Sequence, residues 1–423
     1  MNMIAKEQLN SESNPIDIMI MVLIIAVCMS GATIIFSYRI YLIWAVALLM
    51  LFKSRNRCIY INRSFIVFII LTIWMGLGII YTQDMVATIK FFSIYLSCCL
   101  ILSRPFDEKI YLRIMNAFEI IAIIAAISII ISVFIQDMVP NNFMFFLSRT
   151  YEQTISELQG GAYSGFIGER SEAAVIMNIA LALTWGNYFT KSASNKKMLV
   201  LMFILYIALM LTGKRTLFAI SVIIPIFFIM VSKQGKRKIY IIGATVVLGI
   251  ILYLLSTNID ALSNLLLRFQ DSDDYLTMNG RERLWEVAIN MFKDNPIYGS
   301  GIGSYNAIAN DSGIRFGNGD LWIYQAHNVY YQIFAETGII GGTIYLSLLS
   351  SVFISAFKLF KRLTDLSVIH QKMLYFVIYM QLLISIYGFT GNWIYYPNQI
   401  MIQVVTLSMM IFLIHTYKGK LHQ

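Results

Sequence analysis

Long apolar runs separated by short polar breaks make up most of the chain. Twelve such segments can be drawn, at about 16–37, 39–52, 64–80, 85–102, 112–136, 173–190, 198–212, 216–231, 239–256, 329–357, 370–390 and 398–416. These runs reach the ~20 residues that a helix needs to cross a bilayer, and the alternating ~10-residue strands of a membrane barrel are absent from the sequence. The pattern therefore predicts an all-α integral membrane protein with about twelve transmembrane helices.

Basic residues recur in every second loop between these segments. They follow the second, fourth, sixth, eighth and tenth segments, and lysines also occupy the C-terminal tail. Because cytoplasmic loops are enriched in lysine and arginine, this alternation predicts that both termini are cytoplasmic. The long loops at about 137–172 and 257–328 are then expected on the outer side. The predicted division is 1–256 for nine spans, 257–328 for a large outer loop with short helices, and 329–423 for three further spans.

Composition supports the membrane assignment and argues against a nucleic-acid partner. Hydrophobic residues make up 58% of the chain and charged residues 13%, against roughly 45–50% and about 25% in soluble domains. The net charge of +9 is explained by the basic cytoplasmic loops, so no nucleic-acid partner is expected. The four cysteines lie in apolar spans or a basic loop, and their spacing indicates neither disulfides nor zinc.

One polar stretch, residues 279–342, interrupts the apolar pattern. Loops of this length inside a compact fold are often functional. The sequence predicts a helix from Arg281 to Lys293, capped by Asn279 and stopped by Asp294-Asn295-Pro296. Arg281 and Trp285 are four residues apart and would share one face of that helix.

His327 is the only histidine on the predicted outer side. In a polar loop, a histidine can act as a general base near neutral pH. It can equally be a hydrogen-bonded histidine at the membrane interface, and position alone leaves both interpretations open.

Four basic sites are expected to face the outer side, where the positive-inside bias predicts few. They are Arg170, the Lys214-Arg215 pair, Arg281 and Arg283. Each alone is compatible with an anchor to lipid phosphate. Together, in an acidic outer loop, they suggest a site for a phosphate or diphosphate, since guanidinium groups bind phosphate in a bidentate manner.

The sequence contains no convincing motif for a metal site or a nucleotide site. The acidic run at Asp271, Asp273 and Asp274 superficially resembles a pair of metal ligands, but a solvated acidic turn is the simpler interpretation. The G-S-G-I-G run at 299–303 follows no strand and is therefore no dinucleotide fingerprint. No metal and no cofactor are expected.

Four motifs in order resemble those of the O-antigen polymerase and O-antigen ligase superfamily. They are G-R-x-x-x-W at Gly280, Arg281 and Trp285, N-P-I-Y-G-S-G-I-G-S-Y from Asn295 to Tyr305, H-N at His327 and Asn328, and E-x-G-x-x-G at Glu336, Gly338 and Gly341. The L-T-G-K-R-T turn also resembles the family's arginine-bearing turn, which more usually has Ser-Arg; here Lys214 takes the serine position.

The resemblance implies a GT-C-like membrane glycosyltransferase of the bacterial inner membrane, with its active site on the periplasmic face. Such enzymes transfer a glycan from undecaprenyl diphosphate to a sugar hydroxyl, without a nucleotide sugar or an expected metal. The implied partners are the lipid-linked donor and acceptor, membrane lipid, and a chain-length regulator protein.

The resemblance also assigns roles to residues. His327 would be the catalytic base. Residues expected to bind the diphosphate or glycan are Arg170, Arg215, Arg281, Lys214, Asn328 and Tyr305. Residues expected to support the motif are Trp285, Gly301, Gly303, Glu336 and Gly338. Glu336 is expected to be structural because it lies on nearly the opposite helix face from His327, unless the helix is broken there.

Three functions are compatible with these features. A polymerase of O-antigen or capsular repeat units is favoured, because the Y-G-S-G-I-G-S-Y run resembles polymerases more than ligases. An O-antigen ligase, which transfers the glycan to lipid A–core, is the alternative. A flippase for the lipid-linked glycan would instead predict charged residues in mid-membrane on broken, repeated helices.

Overall fold

The computed structural model describes residues 14–31, 33–53, 59–136, 138–148, 150–192, 194–231, 278–314 and 325–417. Within these ranges the chain is helical, and the strand-like pairing is limited to an isolated bridge between Thr33 and Leu147.

Fifteen α-helices are present in the described ranges. They are α1 Pro15–Cys28, α2 Arg39–Lys53, α3 Arg63–Leu77, α4 Met85–Ser103, α5 Glu108–Phe134, α6 Met138–Asn142, α7 Tyr151–Gln159, α8 Arg170–Phe189, α9 Asn195–Leu211, α10 Arg215–Val231, α11 Met278–Asp294, α12 Tyr305–Asp311, α13 Val329–Lys361, α14 Val368–Tyr387 and α15 Pro397–Thr416. Short 3-10 helices lie at Ile34–Tyr38, Gly78–Ile80, Met144–Phe146, Gly165–Ile167, Leu363–Asp365 and Trp393–Tyr395.

The described helices confirm an all-α membrane protein. Seven are long and apolar enough to cross a bilayer: Ile34–Lys53, Arg63–Ile80, α4, α5, α13, α14 and α15. Helices α1 and α10 are apolar but shorter. The predicted ninth span, 239–256, lies outside the described residues. The total of twelve spans and their orientation therefore stay predictions.

The first predicted span ends earlier than the apolar pattern suggested. Helix α1 stops at Cys28, although hydrophobic residues continue toward position 37. A turn follows, in which Gly31 lies so close to α8 that an added Cβ would be 2.2 Å from Glu172 Cδ. The next apolar segment then runs from Ile34 to Lys53 as one candidate span of 20 residues. The second span is thus longer than the 39–52 predicted.

Helices α8, α14 and α15 form the centre of the bundle. Most of their side chains are buried, and the buried Asn178 of α8 accepts a hydrogen bond from Tyr379 of α14 at 3.0 Å. At the periphery, α5 exposes an isoleucine stripe at helical spacing, Ile120, Ile124, Ile127 and Ile131. Such a stripe suits contact with lipid tails.

A second, smaller apolar cluster lies within the polar stretch. It joins α11, α12 and the start of α13 through Val287, Ala288, Met291, Tyr305, Ala309, Ala326 and Ala335. The helix predicted from Arg281 to Lys293 is confirmed as α11. It begins at Met278, so Asn279 lies inside its first turn rather than at the predicted cap position.

Candidate functional site

A break in helix α13 organises the polar stretch. Gly338 has non-helical φ and ψ angles of 65° and −171°, which interrupts the backbone hydrogen bonding of the helix. The freed groups find partners in the preceding loop: the Gly301 N–H donates to the Glu336 carbonyl at 2.8 Å, and the Ile339 N–H donates to the Pro296 carbonyl at 2.8 Å. The loop therefore supplies hydrogen bonds that the broken helix loses.

Only glycine fits where this loop meets the break. A Cβ on Gly338 would lie 2.2 Å from the Ile297 carbonyl oxygen, and one on Gly299 would lie 2.4 Å from the Glu336 carbonyl carbon. Gly301 and Gly303 also have positive φ angles, of 92° and 86°. Gly299 and Gly338 thus permit the close approach of two backbones.

The Glu336 side chain also binds the loop to helix α13. Its fully buried carboxylate accepts the N–H of Gly303 at 2.9 Å and the N–H of Tyr305 at 3.0 Å. The Gln332 amide donates a third bond at 3.1 Å. These contacts support the structural role predicted for Glu336. We refer to residues 295–305 together with Glu336 and Gly338 as the glycine clamp.

The glycine clamp is joined to His327 through Gln332. The Gln332 Oε1 accepts the Ala326 N–H at 2.9 Å, one residue before His327. On the other side, the Asn328 side chain caps α13 by accepting the N–H groups of Tyr330 and Tyr331 at 3.0 and 3.1 Å. Asn328 was predicted to bind substrate, but its side-chain oxygen is engaged as a helix cap.

His327 lies between these two anchors with an unusual backbone. Its φ is +55°, a left-handed value that is uncommon for a residue other than glycine. Its Nδ1 is 3.2 Å from the amide nitrogen of Asn392. Burial lowers the pKa of His327 to about 3, and the positive charges of Arg281 and Lys214 act in the same direction. At neutral pH the imidazole is therefore uncharged.

Three distant parts of the sequence meet at this histidine. Lys214 precedes α10, Arg281 lies on α11 and Asn392 lies between α14 and α15. We call His327, Lys214, Arg281 and Asn392 the histidine pocket. Arg215, the neighbour of Lys214, opens α10 with an exposed side chain. Of this pair, Lys214 is the residue whose charge acts on His327.

Carboxylates balance part of this positive charge. Burial lowers the pKa of Lys214 to about 8, and the charges of Arg170 and Arg281 also lower it, while Glu169 and Glu157 oppose the change. Arg170 Nε lies 3.6 Å from Glu157 Oε1. Of the predicted cations, Arg170 and Arg281 thus act on Lys214, together with acidic residues that the sequence pattern did not identify.

Glu169 and Glu172 are the main residues that were missed. Glu169 caps α8 by accepting the Glu172 N–H at 2.8 Å, and Glu172 accepts the Asn398 amide at 2.5 Å from α15. The signal was present in G-E-R-S-E, where two carboxylates one turn apart open an apolar helix. Asn392 carried no such signal, because it is 65 residues from the histidine it contacts.

Helix α11 presents donors without acceptors. Arg281 Nε and Trp285 Nε1 are both buried and have no hydrogen-bond partner among the described residues. The two are one helical turn apart, so both can reach a ligand on the same face. The Trp285 ring packs edge-on against Tyr331, with 5.7 Å between ring centroids.

Tyr305 was predicted to bind substrate, but its side chain is engaged within the protein. It is fully buried, and its hydroxyl donates to the Leu284 carbonyl at 2.8 Å. Burial and the neighbouring Glu336 raise its pKa well above the usual range. This geometry favours a role in holding α11 to the glycine clamp over the predicted contact with substrate.

The described residues include no group of three or more His, Cys, Asp or Glu side chains placed to hold a metal ion. The acidic run at 271–274 lies outside the described part of the chain.

Comparison with known families agrees with the motifs. Residues 199–346 match the Wzy_C family, described as O-antigen ligase, over roughly a third of the 423-residue chain. The matched region contains Lys214, Arg281, the glycine clamp and His327. It confirms the resemblance to the O-antigen polymerase and ligase superfamily. No curated protein matches the chain. In general terms, the match supports a function of the O-antigen ligase or polymerase type.

Proposed function

We propose that this protein is a glycosyltransferase of the bacterial inner membrane that joins undecaprenyl-diphosphate-linked repeat units into O-antigen or capsular polysaccharide on the outer face. The observation that carries this proposal is the histidine pocket. It places an uncharged imidazole beside the two cations that lower its pKa. A reaction between a sugar hydroxyl and a lipid diphosphate needs both a base and a cationic site.

The chemistry follows from these groups. The acceptor hydroxyl oxygen attacks the anomeric carbon of the donor and forms the new glycosidic bond. The bond between that carbon and the diphosphate oxygen breaks, and its electron pair leaves with the diphosphate. Arg281 and Lys214 stabilise the charge that develops there, and His327 accepts the hydroxyl proton. Arg170 and Arg215 border the same group of cations and contribute to diphosphate binding.

Donor binding would also activate the base. In the protein alone, the pKa of His327 is about 3, partly because two positive charges face the ring. A diphosphate between Arg281 and Lys214 supplies opposite charge and raises the pKa of His327 toward its ordinary value. His327 is then a stronger base when the donor is present than when it is absent.

The unmet donors of α11 fit the same substrate. Arg281 Nε and Trp285 Nε1 are buried without acceptors in the described residues. A phosphate oxygen and a sugar oxygen are natural acceptors for these groups, and each unmet buried donor costs about 1–3 kcal/mol until it is satisfied.

The test uses purified protein in liposomes with a lipid-diphosphate-linked repeat unit as the sole substrate. We expect the wild-type protein to produce a ladder of chain lengths, and His327→Gln to produce no products longer than one unit. His415→Gln is the matched control, because His415 lies near the end of α15 and packs against Tyr60. Long chains from His327→Gln at the wild-type rate would refute the assigned base.

The second candidate is an O-antigen ligase, which the description of the matched family favours. A ligase would leave the repeat unit unchanged in the first assay and would transfer it only after lipid A–core is added. Translocation of the unmodified lipid without any transfer would support the flippase instead.

A further inference from the structure

Asn392, which is 65 residues away in the sequence, contacts the ring of His327. It is buried, with 3% of its surface exposed. Its amide nitrogen is 3.2 Å from Nδ1 of His327. Its carbonyl oxygen is also buried and has no hydrogen-bond partner in the described ranges. A buried amide with one end on the candidate base and the other end unsatisfied calls for an explanation.

The loop that carries Asn392 is tied to the helix that carries His327. The Val329 N–H donates to the Gly388 carbonyl at 2.8 Å, and the Tyr330 hydroxyl donates to the Ser385 carbonyl at 2.6 Å. Next to Asn392, Trp393 is fully buried. The distance between the amide and the imidazole is therefore set by packing on both sides.

The orientation of this amide determines which ring nitrogen can accept a proton. With the NH₂ group toward Nδ1, that nitrogen accepts, and the neutral ring carries its proton on Nε2. Nε2 then has no lone pair available for a substrate proton. A half-turn of the amide places Oδ1 against Nδ1–H instead, and the lone pair of Nε2 becomes available. The two orientations have the same shape and differ only in their hydrogen bonds.

We propose that Asn392 is a positioning residue that selects the reactive tautomer of His327 by presenting its carbonyl oxygen to Nδ1–H. This inference rests on the proposed function, in which His327 is the base. Proton transfer to Nε2 produces an imidazolium with an N–H at both nitrogens. The Asn392 oxygen can accept the Nδ1–H, whereas its NH₂ group would oppose it. The charged groups that act on the ring, Arg281 from α11 and Lys214 from the turn before α10, are cations and offer no acceptor.

The proton balance is complete without another reactant. The acceptor hydroxyl gives its proton to Nε2 as its oxygen bonds to the anomeric carbon. Nδ1 keeps its proton and its hydrogen bond to Oδ1 throughout. The imidazolium then releases the Nε2 proton to water, or to the departing diphosphate.

Two substitutions test this role in the liposome assay. Asn392→Leu keeps the branched shape, with a larger side-chain volume, and removes the acceptor; we expect kcat to fall about 100-fold, with the KM for the lipid-linked donor within about twofold of wild type. Asn392→Asp keeps an acceptor and adds a negative charge. We expect at least a tenth of wild-type activity. The low-pH limb of the pH–rate profile, where His327 becomes protonated, should move at least about one unit toward higher pH, since the carboxylate raises the pKa of His327.

Nitrogen NMR on protein labelled with [¹⁵N]histidine provides the spectroscopic readout. The chain has four histidines, and the signal of His327 is assigned by its absence from His327→Gln. In wild-type protein with a non-hydrolysable donor analogue, we expect Nδ1 protonated and Nε2 unprotonated. In Asn392→Leu this preference should be lost.

Asn178→Ala is the matched control for loss of a buried amide, since Asn178 bonds to Tyr379 within the bundle. It should lower stability but leave the pH profile unchanged. Wild-type activity in Asn392→Leu, or Nε2–H as the main tautomer of donor-bound wild type, would overturn the proposal. If Asn392→Leu does not fold, Asn392→Asp and the wild-type spectrum still decide the question. An active His327→Gln would refute the proposed base itself, which is a separate outcome.

Discussion

The glycine clamp and the histidine pocket are adjacent, but they differ in whether their buried polar groups have hydrogen-bond partners. In the glycine clamp, backbone N–H groups meet acceptors on α13: those of Ser300, Gly301, Gly303 and Tyr305 all do so. In the histidine pocket, the charges of two cations act on an uncharged imidazole, and buried donors of α11 have no acceptor in the described residues. Gln332 connects the two regions.

This contrast suggests that the glycine clamp stabilises the fold and that the histidine pocket binds the substrate. Like charges and unmet donors destabilise a folded protein, and they persist when the surrounding structure holds them in place. The glycine clamp is that structure, because it sets the position of α13 and so the position of His327. Damage to the glycine clamp should therefore reduce stability, whereas changes in the histidine pocket should reduce activity and spare the fold.

The largest expected effect is on stability, from Gly338→Ala. The added Cβ would lie 2.2 Å from the Ile297 carbonyl oxygen, in a left-handed conformation that alanine disfavours. We expect a loss of at least about 3 kcal/mol, seen as low membrane yield or a much lower melting temperature in detergent. Gly313→Ala is the control: its φ is similarly positive at +80°, but nothing lies within 4 Å. It should cost only about 1 kcal/mol. Equal losses in the two variants would mean that the close approach is unimportant.

Arg281→Gln should have the largest effect on catalysis among the cations. It removes charge next to the leaving group, so we expect kcat to fall about 100- to 1,000-fold. The melting temperature should stay the same or rise, because a buried donor and a charge repulsion are both removed. The exposed neighbour Arg283→Gln should change neither value. A melting temperature that falls as far as in Gly338→Ala would remove the distinction between the two regions.

Lys214→Met should have a moderate effect with a clear sign in its pH dependence. Lys214 is one of the two cations that lower the pKa of His327. Without it, the pKa of His327 rises. The low-pH limb of the kcat/KM profile, which reports His327 in the free protein, should therefore move toward higher pH. We expect kcat to fall about tenfold, through weaker stabilisation of the diphosphate. An unchanged limb, or one at lower pH, would place Lys214 outside the pocket.

The smallest expected effect is the contribution of His327 to acid stability. Its pKa is about 3 in the folded protein, against 6.5 for an unperturbed histidine side chain. Below pH 6.5 the unfolded chain takes up a proton that the folded chain does not, so stability falls as the pH drops toward 3. Between pH 6.5 and 5 this amounts to about 2 kcal/mol at most. His327→Gln should lose less melting temperature over this range than wild type or His415→Gln. A loss equal to that of wild type would indicate that His327 titrates normally.

Local patterns in the sequence predicted the parts of the fold that depend on local physics. The existence of helix α11 and its end near Asp294 were predicted because its apolar face and its proline stop lie within one short segment, whereas its start at Met278 precedes the predicted cap. The end of α1 was missed because both sides of the turn at Gly31 are apolar, and the close approach of Gly31 to Glu172 joins residues far apart in sequence.

The candidate site was predicted in part for the same reason. Arg281 and Lys214 stood out because cations are rare on the predicted outer side. Tyr305 and Asn328 were assigned to substrate through the family resemblance, and the structure shows their side chains hydrogen-bonded to nearby backbone. Asn392 could be found only after folding, since its importance lies in a contact between two loops far apart in sequence.

The break at Gly338 also bears on the depth of the chemistry relative to the bilayer. As one rod, the 33 residues of α13 would be about 50 Å long, far more than the ~30 Å of a hydrocarbon layer. Residues 339–361 alone amount to roughly 34 Å, which matches that thickness. We then expect the segment from Val329 to Thr337 to form a short collar outside the lipid tails. His327 would lie at the headgroup level, where a diphosphate anchored by its lipid chain naturally resides.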